Sequence, residues 1–485
     1  MTADSGKLAA IVLAAGESRR MRSARAKVLH EVAGVTVIGR VLRAVAALGV
    51  EPLVVVVGRQ APRVEAAVRT ALAGVCRPVF ALQEEARGTG DAARCGLEQL
   101  GAGFCGDVLL VYGDMARLSA ATLRAFVARH QVAQAGLSFA SVVVDAPGAY
   151  GRVLRGAEGR VRAIVEARDA SAAELAVREV NAGLYLGRVE VLAPALAGLQ
   201  CHNAQGEYYL TDVVASALAA GFTVEAMRFD DAALFAGVNS REELTEMEAQ
   251  IRREINRRLM AAGVTLHDPA TTYIDETVEI GPDVEIGPNV QLLGRTRIGA
   301  ETRIEGTAFL RDVEIGPRCH LKFGLRAEQC NVGEGCEIGP FAHLRPGTVL
   351  EGRNRVGNFV ETKMARLGRN TKASHLSYLG DVVVGPDTNI GCGVITVNFD
   401  GFAKHPTRIG ARCMVGCDSQ LVAPVTVGDD VYVASGTTVL RDVGTGSLVM
   451  SEHAQRERPG WTAKWRRRHG APAPAGSGRA DAPQE

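Results

Sequence analysis

The chain has 485 residues, well above the ~250–300 residues at which a single hydrophobic core usually stops growing, so the length predicts at least two domains. Hydrophobic residues make up 47% and charged residues 22%, a balance typical of globular proteins that argues against a fibrous or disordered chain. Lys and Arg number 55 against 54 Asp and Glu, so the formal net charge of +1 excludes an overall field that would recruit nucleic acid or an acidic membrane.

The cysteines and the apolar runs indicate where the protein works. Ten cysteines are scattered without a Cys-x-x-Cys pair, which argues against a zinc knuckle or a disulfide framework and favours a reducing cytoplasm. The apolar run at residues 8–15 is too short to span a bilayer, and no other stretch reaches ~18 uncharged apolar residues. We therefore expect a cytoplasmic protein without a membrane or nucleic-acid partner.

From residue 7 to about residue 236, short β-branched runs alternate with amphipathic stretches. This alternation predicts an α/β domain with a mostly parallel sheet. The predicted strands are 10–13, 53–57 and 108–112, and the predicted helices are 38–48 and 62–72. Ligands of such sheets bind beyond the carboxyl ends of the strands, so the loops after Leu13, Leu82 and Tyr112 are candidate sites.

The first two loops contain residues that suit a nucleotide. After Leu13, small residues would let backbone N–H groups approach a phosphate, and Arg20 and Lys27 would supply cations. The Rossmann fingerprint and the P-loop are both absent, and a glycine turn with solvated arginines explains this loop equally well. In the second loop, residues 88–90 offer backbone donors and a hydroxyl, and Gln83 could pair with the edge of a base.

The third loop places Asp114 just past a hydrophobic strand. An Mg²⁺ bound to substrate phosphates would find an oxygen ligand there, although an Asp at a strand end is as often a turn former. The loop residues alone leave both interpretations open.

Taken together, the motifs LAAG, GTG, YGD, IVE and VNAG resemble the sugar-phosphate nucleotidyltransferases. The string NAQGEYYLTD at 203–212 and GVN at 237–239 resemble the uridyltransferase half of the bacterial bifunctional N-acetylglucosamine-1-phosphate uridyltransferase / glucosamine-1-phosphate acetyltransferase. The resemblance implies a Rossmann-like nucleotidyltransferase domain.

The second half of the chain is a repeat. An aliphatic residue recurs at every sixth position from Ile280, with a few slips, until Val439. Neither a helix nor an alternating strand has this period, and three hexads can close one triangular coil with the aliphatic side chains stacked inside. Cys319, Cys336 and Cys413 occupy the small fifth position of their hexads, which favours a packing role over metal or redox chemistry. The period resembles that of hexapeptide acyltransferases, which implies a left-handed parallel β-helix.

Residues 240–260 have an N-cap Ser240, an apolar stripe and dense charges, which predicts one linking helix. After Trp465, the Pro, Ala, Gly and charged residues cannot bury a core, and the basic run Arg466–Arg468 is typical of a solvated tail. The sequence thus predicts a uridyltransferase (pyrophosphorylase) domain at 1–238, a linker helix at 239–260, an acetyltransferase domain at 261–460 and a disordered tail at 461–485.

The hexads lapse at 358–374 and 391–406, where we expect loops or sites inserted into the solenoid. A lone histidine in a β-helix is usually a packed or surface residue. At His375, however, the string NFVE-x-K-x-A-R-L-G followed by H-L-x-Y-L-G-D resembles the acetyltransferase half of the same bifunctional family.

For the first half, this resemblance implies that UTP and the UDP-sugar are bound by Leu13, Ala14, Ala15, Gly16, Lys27, Gln83, Gly88, Thr89, Tyr112, Gly113, Asp114, Gly151, Glu166, Asn181 and Asn239. Arg20 and Lys27 would be catalytic by facing the triphosphate, while Asp114 and Asn239 would ligate Mg²⁺. Because the reaction displaces pyrophosphate from UTP, positioning and charge stabilisation would carry most of the catalysis.

For the second half, the resemblance implies that glucosamine 1-phosphate is held by Arg345, Lys363, Tyr378 and Asn389. His375 would be the catalytic general base that deprotonates the substrate amine, with Glu361 orienting its ring. Acetyl-CoA would contact Cys392, Asn398, Phe399, Cys417, Ser435 and Glu452.

The sequence departs from the family's usual residues at Ala26, Asp91, Cys392, Phe399, Cys417, Ser435 and Glu452. Most of these lie in the expected acetyl-CoA pocket, so the uridyl site is better supported. The resemblance also implies a homotrimer acting on small-molecule substrates in UDP-N-acetylglucosamine synthesis.

Two other functions compete with this one: a monofunctional sugar-phosphate nucleotidyltransferase with a structural or regulatory β-helix, and a non-enzymatic exchange subunit. The pair His375 and Lys363 argues against the first, and Lys27 with Asp114 argues against the second.

Overall fold

The computed structural model describes residues 7–16, 19–101, 103–156, 158–452 and 455–472. The chain forms two compact units, residues 1–341 and 342–485. None of the helices in these described ranges has the length and apolar character that a bilayer crossing requires.

The first unit begins with alternating strands and helices. Its strands before the repeats are β1 (Leu8–Leu13), β2 (Glu31–Val32), β3 (Val35–Thr36), β4 (Leu53–Val57), β5 (Val79–Leu82), β6 (Asp107–Tyr112), β7 (Leu137–Val143), β8 (Arg152–Arg155), β9 (Val161–Val165), β10 (Glu179–Arg188) and β11 (Val224–Phe229). Its helices are α1 (Val37–Ala46), α2 (Ala61–Ala71), α3 (Thr89–Glu98), α4 (Ala120–Ala133), α5 (Ala172–Leu175), α6 (Val189–Ala197), α7 (Asp212–Ala219) and α8 (Arg241–Ala261), with 3₁₀ turns at Arg19–Met21, Lys27–Leu29 and Ala232–Phe235.

The described strands form a mostly parallel sheet, as predicted. Its order is β11-β7-β10-β6-β1-β4-β5, with β8 and β9 attached beside β10. Strand β1 is parallel to both β4 and β6, whereas β10 is antiparallel to β6 and β7. Leu13 and Tyr112 are partners in register, so the loops that follow β1 and β6 emerge side by side at one edge.

Helices cover both faces of this sheet. Alternate residues of one strand point to opposite faces, and accordingly Val12 and Val55 belong to one hydrophobic core while Ile11 and Val54 belong to the other. All five residues of β4 are buried, as expected for a strand in a sheet covered on both sides.

The helix predicted at residues 240–260 is confirmed as α8. The Ser240 side chain accepts a hydrogen bond from the backbone N–H of Glu243 at 3.1 Å and caps the first turn. Met247, Ile251 and Ile255 form the buried side of the helix, as the apolar spacing predicts.

The remainder of the first unit is a coil of short parallel strands. They are β12 (Thr265–Leu266), β13 (Tyr273–Ile274), β14 (Glu279–Ile280), β15 (Glu285–Ile286), β16 (Val290–Leu293), β17 (Arg297–Ile298), β18 (Arg303–Ile304), β19 (Ala308–Arg311), β20 (Glu314–Ile315), β21 (His320–Leu321), β22 (Arg326–Glu328), β23 (Asn331–Val332) and β24 (Glu337–Ile338). Ile280 pairs with Ile298, and Ile298 pairs with Ile315. One turn of the coil therefore contains three hexads, which confirms the predicted repeat.

The second unit, described by itself, is a coil of the same type. Its strands are β25 (His343–Leu344), β26 (Val349–Leu350), β27 (Arg355–Asn358), β28 (Glu361–Leu367), β29 (Lys372–His375), β30 (Tyr378–Val384), β31 (Asn389–Ile390), β32 (Ile395–Val397), β33 (Thr407–Ile409), β34 (Met414–Val415), β35 (Gln420–Val422), β36 (Val425–Val427), β37 (Tyr432–Val433), β38 (Thr438–Val439) and β39 (Leu448–Val449).

Only one of the two predicted interruptions lengthens the coil. Between residues 358 and 374 the register is maintained, because Thr362 takes an inward position between Leu344 and Leu379. Of the loops or sites predicted there, no loop is inserted. At the second interruption, Ile390 pairs with Val415, so this turn contains an insertion.

Small polar side chains inside the coil connect successive turns. In the first unit, Thr302 Oγ1 donates to Gly316 O at 3.1 Å, and Cys319 Sγ approaches Gly333 O at 3.2 Å. In the second unit, Cys413 Sγ approaches Gly428 O at 3.0 Å. These cysteines are buried and donate as serine or threonine would, in agreement with the predicted packing role.

The segment predicted as a disordered tail begins with a short exposed helix, α9 (Trp461–Arg468). Trp461 stacks on Trp465, which stacks on His469, with ring centroids 6.4 and 4.4 Å apart. Side chains spaced by four residues stabilise a helix by such contacts, a feature that composition alone did not indicate. The rest of the predicted tail, residues 473–485, lies outside the described residues.

Candidate active sites

Three of the predicted nucleotide-site residues meet at the carboxyl edge of the sheet in the first unit. Lys27 Nζ donates to Asp114 Oδ2 at 2.5 Å and to Asn239 Oδ1 at 2.9 Å. Asp114 lies directly after β6, and Asn239 lies just before the N-cap of α8. The fold thus assembles one ammonium and two oxygen ligands from distant parts of the sequence.

The backbone around Asp114 and Asn239 holds them in place. Gly113 N donates to Leu13 O at 2.9 Å, and Val238 N donates to Asp114 O at 3.3 Å. A Cβ at Gly237 would lie 2.9 Å from the Asp114 carboxylate, so a larger residue there would displace this side chain. Asn239 N donates to a carboxylate oxygen of the first turn of α8 at 2.6 Å.

The donor set at this site fits Mg²⁺. Carboxylate and amide oxygens are suitable ligands, and the two of them already face one cation, the Lys27 ammonium. Among the described residues, no group of three or more His, Cys, Asp or Glu side chains could hold a metal ion.

The loop after β1 runs beside this cluster. Ala14 N donates to Val56 O at 2.9 Å, and a Cβ at Gly58 would lie 2.8 Å from Ala15 O, so the loop is tightly seated on the strand edge. Gly16 is exposed, and residues 17 and 18 lie outside the described residues. Arg20 is also exposed. Burial raises the pKa of Tyr150, and the charge of Arg20 opposes this increase.

A second group of predicted residues lies at the turn between β5 and α3. Gln83 is buried, and its Nε2 donates to Gly88 O at 3.1 Å and to Asp91 Oδ2 at 2.8 Å. Gly88 has φ +107°, and a Cβ there would lie 2.6 Å from Tyr208 O. The Thr89 hydroxyl accepts a hydrogen bond from a backbone N–H of the same neighbouring segment at 3.2 Å.

Residues 207–210 therefore hold this turn in shape. Tyr208 N donates to Arg87 O, and Gly90 N donates to Tyr208 O, both at 2.8 Å. Sequence analysis noted Tyr208 as part of the NAQGEYYLTD motif and Asp91 as a departure from the family's usual residue. It did not predict the contacts that either residue makes.

The predicted sugar-binding residues form a third group nearby. Thr211 Oγ1 donates to Glu166 Oε1 at 3.0 Å, and Asn181 N donates to Gly151 O at 2.9 Å. Burial raises the pKa of Glu166, an effect that the Thr211 hydrogen bond opposes. Burial also raises the pKa of Tyr112.

In the second unit, three cations and two carboxylates lie on or next to neighbouring strands and in the inserted loop. Arg345 Nη1 is 2.7 Å from Glu361 Oε1, and Lys363 Nζ is 3.7 Å from Asp381 Oδ2. Contact with the Lys363 amine lowers the pKa of Lys404, and the charge of Arg345 contributes to this decrease. Such an excess of positive charge suits an anionic ligand. Sequence analysis assigned no role to Lys404.

His375 ends β29 with an exposed side chain. Its Nδ1 is 3.0 Å from Asn358 Oδ1, because the two residues are partners on adjacent strands. The expectation that Glu361 orients this ring was wrong, since Glu361 pairs with Arg345 while Asn358 contacts the imidazole.

Tyr378 and Asn398 approach each other across Gly380. A Cβ at Gly380 would lie 2.5 Å from the Tyr378 hydroxyl and 2.8 Å from Asn398 Nδ2. Asn398 Nδ2 also donates to Asp381 Oδ2 at 2.5 Å. Asn389 lies apart from this group in its contacts, with its Nδ2 3.2 Å from Met414 Sδ.

The inserted loop after Asn398 is a compact hairpin. Phe399 and Lys404 form an antiparallel bridge, and Asp400 accepts hydrogen bonds from the backbone N–H of Phe402 and pairs with His405. Backbone donors and His405 hold the pKa of Asp400 well below its ordinary range.

The predicted acetyl-CoA residues Cys392, Cys417 and Ser435 lie at one corner of three successive turns of the coil. Asp418 N donates to Cys392 O at 2.7 Å, and a backbone N–H next to Ser435 donates to Cys417 O at 2.8 Å. Glu452 is exposed and follows the last strand. This corner column is continuous along the coil axis.

Two features define the class of this protein as a transferase: an α/β region with the cluster around Lys27, and a hexapeptide coil with the cluster around Lys363. The family model of the MobA-like NTP transferase domain matches residues 10–210, and that of the bacterial transferase hexapeptide (six repeats) matches residues 406–441.

Similarity to individual proteins extends over nearly the whole chain. The bifunctional protein GlmU of Trichlorobacter lovleyi is 45% identical over 94% of this chain and 98% of its own length. The protein of the same name from Pelobacter propionicus is 46% identical over 95% and 99%, and that from Mycobacterium bovis is 41% identical over 98% and 96%. The chain belongs to the family of the bifunctional protein GlmU. It is a bifunctional enzyme that combines a nucleotidyltransferase region with a hexapeptide acyltransferase region.

Proposed function

We propose that this enzyme makes UDP-N-acetylglucosamine in two steps. The second unit would transfer acetyl from acetyl-CoA to glucosamine 1-phosphate, and the first unit would then transfer uridylyl from UTP to N-acetylglucosamine 1-phosphate and release pyrophosphate. The observation that supports this proposal most is the meeting of Lys27, Asp114 and Asn239 at the carboxyl edge of the sheet, where ligands of such sheets bind.

In uridylyl transfer, a phosphate oxygen of the sugar 1-phosphate attacks the α-phosphorus of UTP, and pyrophosphate leaves. Backbone N–H groups of residues 13–16 and the cations of Arg20 and Lys27 would bind the triphosphate. Asp114 and Asn239 would hold Mg²⁺, which supplies neutralisation of phosphate charge when bound.

The uridine and the sugar would be bound by the two neighbouring groups. Gln83, Gly88 and Thr89 would bind the base and the ribose; Gln83 is buried, and the turn that contains all three is held by hydrogen bonds to residues 207–210. Gly151, Glu166 and Asn181 would bind sugar hydroxyls. Close packing leaves little room for a side chain at Gly151, since a Cβ there would lie 3.3 Å from Glu166 Oε1.

In acetyl transfer, the substrate amine must lose a proton before its lone pair attacks the thioester carbonyl. Asn358 Oδ1 can only accept, so it favours the tautomer of His375 with the proton on Nδ1 and leaves Nε2 with a lone pair. Nε2 would take the amine proton, and coenzyme A would leave as its thiol after protonation.

Arg345, Lys363 and Lys404 would bind the phosphate of glucosamine 1-phosphate. An anion placed near Lys363 and Lys404 would offset the repulsion that lowers the pKa of Lys404. Tyr378 and Asn389 would bind the sugar, and the Asn398 amide would donate to the developing oxyanion. The corner column with Cys392, Cys417 and Ser435, the hairpin residue Phe399 and Glu452 would contact acetyl-CoA.

We also propose a cytoplasmic homotrimer that acts on small molecules. None of the ten cysteines, all of which lie in the described part of the chain, forms a disulfide, which suits a reducing compartment. In the second unit, Phe359, Leu376 and Phe402 are 57%, 57% and 97% exposed, and such apolar side chains are candidates for burial between copies. Sedimentation equilibrium tests this point, and a stable monomer with full acetyltransferase activity would contradict it.

The function is tested by assaying the two half-reactions separately on the full-length protein. Pyrophosphate release reports uridylyl transfer, and coenzyme A thiol release reports acetyl transfer. Activity in both supports the proposal. A protein that fails to acetylate glucosamine 1-phosphate at millimolar acetyl-CoA would instead be a monofunctional nucleotidyltransferase.

A further inference from the structure

Asp91 is a buried carboxylate in the first turn of α3, and the family resemblance assigns it no role. It is 6% exposed and pairs with Arg94 one turn along the helix. One oxygen of this carboxylate, Oδ1, faces Arg94, while the other, Oδ2, accepts from Gln83 Nε2 at 2.8 Å.

The orientation of the Gln83 amide follows from counting donors and acceptors. Its two neighbours, Gly88 O and Asp91 Oδ2, are both acceptors, so the atom that faces them must be the NH₂ group with its two protons. If the Gln83 amide were flipped, its carbonyl oxygen would face two other acceptor oxygens, and no hydrogen bond could form. The carbonyl oxygen Oε1 therefore points away, and among the described residues it has no hydrogen-bond partner, although it is not sealed from solvent.

Rotating Gln83 would also cost burial energy, because the side chain is only 5% exposed. A buried amide that loses both partners is left with unsatisfied donors, which is strongly unfavourable. Asp91 thus fixes which atom of Gln83 is presented at the carboxyl edge of the sheet.

We propose that Asp91 is a positioning residue for base selection: it holds Gln83 so that an acceptor oxygen meets the nucleobase. Such an oxygen pairs with the N3–H of uracil and opposes the N3 lone pair of cytosine. The inference rests on the proposed function, since it takes the ligand at Gln83 to be the base of a nucleoside triphosphate.

The test compares kcat/KM for UTP with that for CTP in the full-length wild type and in Asp91→Asn, with Mg²⁺ and N-acetylglucosamine 1-phosphate. The substitution keeps side-chain size but leaves one acceptor atom for Arg94 and Gln83 to share, and adds a donor that can bind Gln83 Oε1. We expect the UTP-to-CTP ratio to fall by about 10-fold or more. The ratio of UTP to 5-methyl-UTP should stay constant, because the two bases have the same hydrogen-bonding edge.

Arg94→Gln is the matched control, since it removes the same ion pair but leaves Asp91 as the acceptor for Gln83. Arg94→Gln should preserve the UTP-to-CTP ratio of kcat/KM. Asp91→Glu retains a carboxylate that can only accept, so its ratio should be close to that of the wild type. If Asp91→Asn does not fold, Asp91→Ser replaces it, because a hydroxyl can donate as well as accept.

An unchanged ratio in a folded Asp91→Asn protein would overturn the inference, as would an equal loss in Arg94→Gln, which would indicate a general effect on α3. In both cases uridylyl transfer itself would persist. A wild type that releases no pyrophosphate from UTP would overturn the proposed function and this inference together.

Discussion

Replacing Lys27 by methionine removes the ammonium that bridges Asp114 and Asn239 but retains a side chain of similar length. The side chains of Lys27 and Asp114 are 16% and 11% exposed, so an effective dielectric constant near ~20 applies rather than that of water. At this value two unit charges ~4 Å apart interact by about 4 kcal/mol, and losing one preorganised charge typically costs about 2.7–4 kcal/mol of transition-state stabilisation. We therefore expect uridylyl transfer to slow by roughly 10²–10³-fold, with acetyl transfer unchanged.

Both rates should be measured on the same full-length preparation, by pyrophosphate release and by coenzyme A thiol release. Lys322→Met is the matched control: Lys322 pairs with Glu337 at 3.4 Å in the coil, so its loss should leave uridylyl transfer intact. In Lys27→Met, the Asp114 carboxylate lacks its ammonium partner and Mg²⁺ can take the place of that charge. We therefore expect added Mg²⁺ to raise the unfolding temperature of this variant more than that of the wild type. The reasoning is refuted if a folded Lys27→Met protein keeps more than about a tenth of the uridylyl-transfer rate.

Three further predictions follow from the other contacts. His375→Ala should lower acetyl transfer by roughly 10²–10⁴-fold and leave uridylyl transfer unchanged, whereas equal losses in both assays would point to misfolding. Because burial raises the pKa of Glu166, the folded protein binds this proton more tightly than the unfolded chain, so the wild type loses stability as pH rises through that pKa. Glu166→Gln should therefore melt at a higher temperature than the wild type at pH 8 and lose this advantage at pH 4; a constant difference in melting temperature would contradict the assignment. Gly380→Ala should reduce acetyl transfer alone, since its Cβ would lie 2.5 Å from the Tyr378 hydroxyl and 2.8 Å from Asn398 Nδ2, and thiol release checks this.

Local patterns were sufficient to predict much of the fold. The strand at 53–57 and the linking helix follow from apolar spacing within one element, and the coil follows from a period that no other common structure produces. The continuity at 358–374 escaped prediction because Thr362 occupies an aliphatic position. Its hydroxyl is buried but lies 3.0 Å from that of Thr348, so a polar side chain is accommodated inside.

Prediction of the candidate sites depended on the family resemblance far more than prediction of the fold did. Asp114 and Asn239 lie 87 and 212 positions after Lys27 in the sequence, and each of the three residues alone has an ordinary structural explanation. The partner of His375 is set by strand register, which residue types do not reveal. For the same reason, the partner of Gln83 became apparent only when the turn into α3 brought Asp91 beside it.

The register of the coil also constrains how this protein can change length during evolution. A duplicated segment that encodes one complete turn would preserve the neighbours of every later strand. A duplicated single hexad would rotate everything after it by a third of a turn, moving corner residues to another face and dispersing a site assembled from successive turns. The hairpin after Asn398 illustrates the tolerated alternative, because Ile390 still pairs with Val415 across the insertion. Natural length variants should therefore differ by whole turns or by loops at the corners.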